Sequence, residues 1–387
     1  ISRKNKRVKK TESPVNYIKE ISDVSVYLKT GNVDDTSGFR KTEKTKIKEF
    51  IYNNFINKNE DNNKLNENGS TMIVFGQPGL GKTLLVSEIF NSLNKNGIGE
   101  IIEFFYSRKD VKINKNTEIK TLIVNAMAFK DSKELITHII VNLSPKKQIK
   151  ESIKNDQEIY SVSFLLQEFQ SILEEKLKTT YIALLIDELE TLSNNDQKNF
   201  SIVLELLSIS KKGFVKICIS NSINIFTSIN GNNLYLNFQF QIFKPYEVVE
   251  LIGILKERLN DGFKNKNIPR ESILSDQAID FIVRKAVQNN SSDVRFILEL
   301  THDIKKKKIS ILKNLSIEKK IVIEDLKIGF DLIIKSCDKL IKNESREIIL
   351  KLSLQIQILL LSLYECMTEN QICIDLVILL ERYRKKI

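Results

Sequence analysis

The first half of the chain alternates two hydrophobic rhythms. Short, nearly continuous apolar runs stand at residues 71–75, 101–105, 120–126, 181–186 and 214–220. Runs of that length suit strands buried on both faces. Between them, at 43–57, 82–94, 132–143, 161–177 and 199–208, apolar residues recur every three or four positions. That spacing puts them on one side of a helix. Strand and helix in turn predict βαβ units around a parallel sheet.

From residue 245 onward only the helical rhythm remains. It covers 246–259, 275–288 and 292–308, then a charged linker to about residue 320, then 323–337, 345–366 and 368–385. The four lysines Lys305, Lys306, Lys307 and Lys308 close the third of these helices, just before that linker. Residues 57–69 are polar, Asn-rich and loop-like. Six of the first ten residues are basic and none is acidic, which predicts a solvated tail. The same tail suits a DNA-backbone arm or a nuclear-import signal, and Ser13-Pro14 suits a proline-directed kinase. No fixed-period repeat is present. The most apolar tract, 356–363, is too short to span a bilayer, so no membrane partner is expected.

Length turns this pattern into domains. At 387 residues the chain exceeds one ordinary core, so two or three domains are expected. Net charge is +11, which suits a polyanion such as nucleic acid. Only 11 of the 60 basic residues are arginine, however, and Asn and Ile are also abundant. Charge alone therefore leaves a DNA partner and a compositional bias equally open. Cys218, Cys337, Cys366 and Cys373 include no C-x-x-C pair, and the only histidines are His138 and His302. A structural zinc site is not expected, and lone thiols fit a reducing, intracellular compartment. The chain opens on Ile1 rather than Met, as a piece of a longer protein would.

The chemistry concentrates after the first strand. Gly76-Gln77-Pro78-Gly79-Leu80-Gly81-Lys82-Thr83 matches G-x-x-x-x-G-K-[ST] and leads through Leu84 into a helix. Glycines let the backbone wrap phosphate and aim its N–H groups inward, and the helix N-terminus adds its dipole. Lys82 would reach the β- and γ-phosphates, and Thr83 would offer its hydroxyl to Mg²⁺. A second motif lies about a hundred residues on. The apolar run at 181–186 delivers Asp187 and Glu188 to a strand end, where α/β sheets bind ligands. Asp187 would hold Mg²⁺ through water and Glu188 would orient or deprotonate an attacking water. By themselves two acids there could equally cap the next helix. Asn221 ends the run at 214–220, where an amide could bond the water or the γ-phosphate, or simply close a turn. Arg295, one turn into a helix opened by Asp293, could reach back to phosphate or lie on the surface.

Taken together these residues resemble an AAA+ ATPase. Within that class they resemble the initiator clade of the origin recognition complex large subunit and the cell-division-control protein six. The carrying stretches are IDELETL (186–192), VNAMAF (124–129), ISNSIN (219–224), FKPYEVVELIGILKERL (243–259) and AIDFIVRKAVQNNSSDVRFILEL (278–300). The tail LKLSLQIQILLLSLYECM with LVILLERYRKK is similar to the clade's opening winged-helix helices. The resemblance covers about residues 43–386. It implies a RecA-like α/β fold with a parallel sheet, then an all-α lid, then a truncated winged-helix domain. The implied boundaries are a basic tail at 1–22, the base at 23–243, the lid at 244–312 and the winged helix at 320–387.

The resemblance also implies roles. Asn221 is the first sensor and Arg295 the second, both reading the γ-phosphate, and Tyr246 packs near the adenine. ATP and ADP with Mg²⁺ are the implied ligands. Origin double-stranded DNA, the other origin recognition subunits and the minichromosome maintenance helicase are the implied partners, in the nucleus. The nucleotide would act as a switch with slow hydrolysis. The sequence departs from the clade twice. No arginine lies between Arg108 and Arg258, so the finger position at Tyr235 or a neighbour is not arginine. The chain also stops at Ile387, leaving the β-wing missing or very short. Two alternatives stay open: a nucleotide-gated AAA+ scaffold that scarcely hydrolyses, and another AAA-like ATPase without specific DNA binding.

Overall fold

The computed structural model describes residues 14–28, 38–55, 70–99, 101, 118–144, 162–195, 197–222, 238–264, 266–288, 293–318, 321–368 and 376–386. The chain divides into two compact units. One holds residues 30–250 with 292–294; the other holds 1–29, 251–291 and 295–387.

The first unit is built on a five-stranded sheet. Its strands are β1 (Thr71–Phe75), β2 (Glu118–Asn125), β3 (Thr180–Asp187), β4 (Phe214–Ser220) and β5 (Phe238–Ile242), in the order β2-β3-β4-β1-β5. Every pairing is parallel. The apolar runs at 71–75 and 214–220 are strands with the expected ends, and those at 120–126 and 181–186 lie within β2 and β3 to a residue or two. The run at 101–105 lies outside the described residues except for Ile101. β5 escaped the pattern because FQFQI interleaves glutamines. It is an edge strand whose Phe240 and Ile242 are exposed.

Strand alternation divides the core in two. Ile73, Phe75, Ile182, Leu184, Ile186, Phe214 and Cys218 face one layer, packed on α4 (Ser132–Leu143), α5 (Val162–Lys176) and α7 (Gln197–Ser208). Met72, Val74, Ala183, Leu185, Val215, Ile217 and Ile219 face the other, with α2 (Lys41–Phe55) and α3 (Lys82–Asn96). A short helix, α6 (Glu190–Asn195), follows β3.

The second unit is helical. Its helices are α1 (Pro14–Asp23), α8 (Val248–Phe263, shared at its start with the first unit), α9 (Asp276–Gln288), α10 (Val294–Glu318), α11 (Phe330–Lys351), α12 (Leu354–Thr368) and α13 (Leu376–Arg384). Four expectations change here. Residues 14–22, assigned to the basic tail, form α1. Ile21, Val24 and Leu28 are buried, and a Cβ on Gly262 of α8 would come within 2.7 Å of Val24. Asp23 pairs with Lys266 at 2.8 Å, and Glu20 accepts from the Asn267 side chain at 3.1 Å.

The charged linker after the lysine run is helix instead. α10 continues to Glu318 because Ile304, Lys305 and Leu312 still face the interior, and Lys307 bonds Asp303 at 2.6 Å and Ser336 at 2.9 Å. Lysine is a good helix former, so its charge did not mark a break. The break expected between 337 and 345 is likewise absent. α11 runs through it and stops at Leu352, whose carbonyl accepts from Gln357 at 2.8 Å. The start of the helix expected at 323–337 is a 3-10 turn, Ile323–Leu326, before Gly329. Among the described residues no strand lies beyond Ile242, and no helix is long and apolar enough to cross a membrane.

Alternation also carries a lysine into the first core layer. Lys216 lies between Phe214 and Cys218 on their face of β4 and is fully buried. Its ammonium bonds the Ser70 hydroxyl at 2.8 Å and the Ile209 carbonyl. Burial lowers its pKa to about 7. Between that value and the ordinary lysine range the unfolded chain binds a proton that the folded chain does not. Stability from this group therefore rises with pH above about 7 and is lost as pH falls toward it. The urea midpoint should climb between pH 6.5 and 9 by more in the wild type than in Lys216→Met; equal slopes would contradict the buried-lysine assignment.

Candidate functional site

The carboxyl ends of β1, β3 and β4 lie side by side, since β4 pairs with both of the others. The phosphate-loop sequence leaves β1 at Gly76. Side chains cannot be added along its turns. Gly79 and Gly81 hold left-handed backbone, φ 77° and 79°. A Cβ on Gly79 would fall 1.7 Å from the Asp293 carboxylate, and one on Gly81 would sit 3.0 Å from the Tyr246 hydroxyl. Gly81 is also the N-cap of α3, so the loop opens onto the positive end of a 15-residue helix. Leu80 is buried and anchors the loop, Gln77 and Pro78 are exposed, and Leu84 is half-buried in the helix's first turn.

Lys82 is only 4% exposed. Its ammonium donates to the Gly76 carbonyl at 2.7 Å, the Gln77 carbonyl at 2.8 Å and Asn221 Oδ1 at 2.8 Å. A buried cation needs such partners. The third of them ties the loop after β1 to the end of β4.

Asp187 ends β3 and is nearly buried. Burial pushes its carboxyl above the usual range, against hydrogen bonds from the Thr83 hydroxyl and the Glu188 N–H. Strand register also sets Asn125 beside Asp187, where its side chain caps the following turn through Met127 N–H at 2.9 Å.

Glu188 has φ 56°, the only positive φ outside glycine among the described residues. Such backbone costs about 1–3 kcal/mol and persists only where its surroundings hold it. Here Leu189 N–H bonds the Ile219 carbonyl at 3.0 Å. The Glu188 carbonyl takes both Thr191 N–H at 3.0 Å and the Thr191 hydroxyl at 2.8 Å. The twist turns the carboxylate toward Asn221, whose Nδ2 donates to Glu188 Oε2 at 2.9 Å. Burial, then the neighbouring Glu190 and Asp187 carboxylates, raise the Glu188 pKa.

One residue at the loop went unread. Arg40 is buried, lies 3.8 Å over the Tyr246 ring, and bonds the Lys244 carbonyl at 2.7 Å and Glu43 at 2.9 Å. The available signal was a lone arginine in a lysine-rich stretch, since arginine is the cation that stacks on aromatic rings. The structure therefore gathers Gly76 to Leu84, Asp187, Glu188, Asn221 and Tyr246 in one unit. Arg295 is exposed in the first turn of α10 and belongs to the other unit, whereas Asp293 reaches the loop. Tyr235 lies outside the described residues.

The sequence and the fold agree with known proteins. Residues 65–222 match the family model of the AAA domain, a span that includes the loop, Asp187, Glu188 and Asn221. Among curated proteins no relative matches. Solved structures extend the likeness past the matched domain. A chain in the Drosophila ORC bound to DNA aligns over 100% of this chain and 82% of its own, at 16% identity and TM-score 0.54. The Aeropyrum pernix ORC1 protein in complex with DNA aligns over 93% and 80%, at 14% identity and TM-score 0.56. The A. pernix ORC2 protein in its ADPNP-ADP complexes aligns over 92% and 82%, at 12% identity and TM-score 0.54. The fold is therefore an AAA domain followed along the chain by a mostly helical part, similar to the fold of these proteins.

Backbone strain at Glu188 separates two truncations. Glu188→Gly should be more stable than Glu188→Ala by about 1 kcal/mol in urea unfolding, because only glycine adopts left-handed backbone freely. An alanine variant as stable as the glycine one would deny the strain.

Proposed function

We propose that the chain is an ATP-dependent DNA-replication initiator that binds origin DNA and helps load the replicative helicase. ATP binding with slow hydrolysis is its switch. The observation that carries the reading is the hydrogen-bonded run from Lys82 through Asn221 to Glu188 beside a left-handed glycine loop. It links the residue that grips phosphate, the residue that reads it and the residue that activates water. The loop amides and Lys82 hold the phosphates, with Tyr246 and Arg40 at the loop's flank. Thr83 and Asp187 fit Mg²⁺, since magnesium binds through one or two protein oxygens plus phosphates rather than an all-protein cage. Bound ATP with Mg²⁺ would supply the γ-phosphoryl group that water attacks, with ADP as the leaving group, and the signal that the sensors read. Glu188 orients or deprotonates the attacking water, and Arg295 reads the γ-phosphate.

The DNA part of the reading is supported by the net charge of +11 and by the shared fold with proteins described as bound to DNA. The partners are then duplex origin DNA, other origin recognition subunits and the minichromosome maintenance helicase, in the nucleus. One observation favours a second reading. No arginine lies between Arg108 and Arg258. A subunit that offers no arginine finger suits a nucleotide-gated scaffold, which assembles on binding and scarcely hydrolyses.

Lys82→Ala should lose both ATP binding and turnover, whereas Glu188→Gln should keep binding and lose turnover by about 10²-fold or more. Unchanged nucleotide affinity in Lys82→Ala would remove the site. Anisotropy of labelled duplex DNA, with ATP, ADP or no nucleotide at two salt concentrations, tests the partner. Tighter, salt-sensitive binding with ATP is the expected result. Equal weak binding in all three states would leave only nonspecific lysine charge, and with it the readings without specific DNA binding.

A further inference from the structure

Glu190 has no part in the roles above, yet it is turned into the same site. It opens α6, three residues past Asp187. Its Oε1 accepts twice from Asn221, from Nδ2 at 2.6 Å and from the backbone N–H at 3.2 Å. Its Oε2 is buried without a hydrogen-bond partner. A buried carboxylate oxygen left unbonded is costly, and an apolar residue here would avoid that cost. What the carboxylate does instead is fix an amide.

A side-chain amide has two distinct ends, and the site at Asn221 is polarised to match. Oδ1 faces the Lys82 ammonium at 2.8 Å, and Nδ2 faces two carboxylates, Glu188 at 2.9 Å and Glu190 at 2.6 Å. The flipped amide would set N–H against the ammonium and oxygen against both acids. Glu190 also holds the Asn221 backbone, so it clamps the residue at both its main chain and its side chain. Glu188 contacts only the side chain, and it is the group that must be free to meet water. The clamp therefore has to come from the second acid.

We propose that Glu190 is a positioning residue for nucleotide hydrolysis, acting through Asn221. It holds the amide in the one orientation that presents oxygen to Lys82 and N–H to Glu188. The proposal rests on the ATPase reading above. What it needs from residue 190 is an acceptor oxygen, which glutamine keeps and alanine removes.

The test is ATP turnover and ATP affinity of the full chain carrying Glu190→Ala, Glu190→Gln, Asn221→Ala, or Glu190→Ala with Asn221→Ala. Glu190→Ala should lower kcat by roughly tenfold or more, as a misplaced group does, with ATP affinity within about twofold of wild type. Glu190→Gln should retain most of the turnover. The double variant should lose no more than Asn221→Ala alone, because the two residues act as one unit.

Additive losses in the double variant, or a Glu190→Gln as poor as Glu190→Ala, would overturn the proposal. Equal falls in ATP affinity, turnover and thermal stability in Glu190→Ala would reduce Glu190 to a structural residue. A wild-type chain that turns nothing over would overturn the ATPase reading, and this proposal with it. A wild type that turns over beside an equally fast Glu190→Ala would overturn this proposal alone.

Discussion

A lysine ammonium taken out of water must be given oxygens, and Lys82 sets this requirement for the whole first unit. Its three acceptors come from Gly76, Gln77 and Asn221. The first two force the loop to curl back over its own lysine. The third requires the end of β4 to stand next to the end of β1. The sheet order meets that requirement, since Phe75 pairs with Ser220 immediately before Gly76 and Asn221. Parallel strands bring every carboxyl end to one edge, so a loop, an acid and an amide from distant segments converge with no long excursion.

Around that cation the site gathers carboxylates that crowd one another. Asp187 and Glu188 are adjacent, Glu190 is close, and burial holds Asp187 and Glu188 above the usual carboxylate range. Glu190 is displaced the other way: burial pushes it up, but its own N–H and both N–H groups of Asn221 are among the donors that outweigh burial. Left-handed backbone at Glu188 adds strain to that crowding. Local cost of this kind is expected where a protein keeps groups for chemistry rather than for stability. The surrounding core of two fully buried layers offsets it.

The helical unit shows a different physics. Its segments were readable as helices, but their ends were not. The charged stretch after the lysine run suggests a stop, yet there α10 runs on, and α11 likewise continues across residues 337–345. Lysines carry their charge on long apolar stems, so one lysine can be buried along a helix while its neighbours reach acids. The basic start of the chain misled in the same way. Average charge marked a tail, while Ile21, Val24 and Leu28 made α1 and the following turn part of a core.

The sequence by itself determined the alternation of strands and helices, the glycine loop with its lysine, and the acids and amide at the strand ends. Each of these is a local matter: apolar runs, glycines where side chains do not fit, and polar residues placed just past a strand. Only the tertiary structure decided that Asn221 bridges Lys82 and Glu188, that Glu190 clamps Asn221, that Arg40 lies on Tyr246, and that Lys216 is buried. It also decided that β5 closes the sheet beyond β1. These depend on which strands become neighbours and on which face each residue meets. A strand's own residues fix its two faces, but not what either face will be packed against.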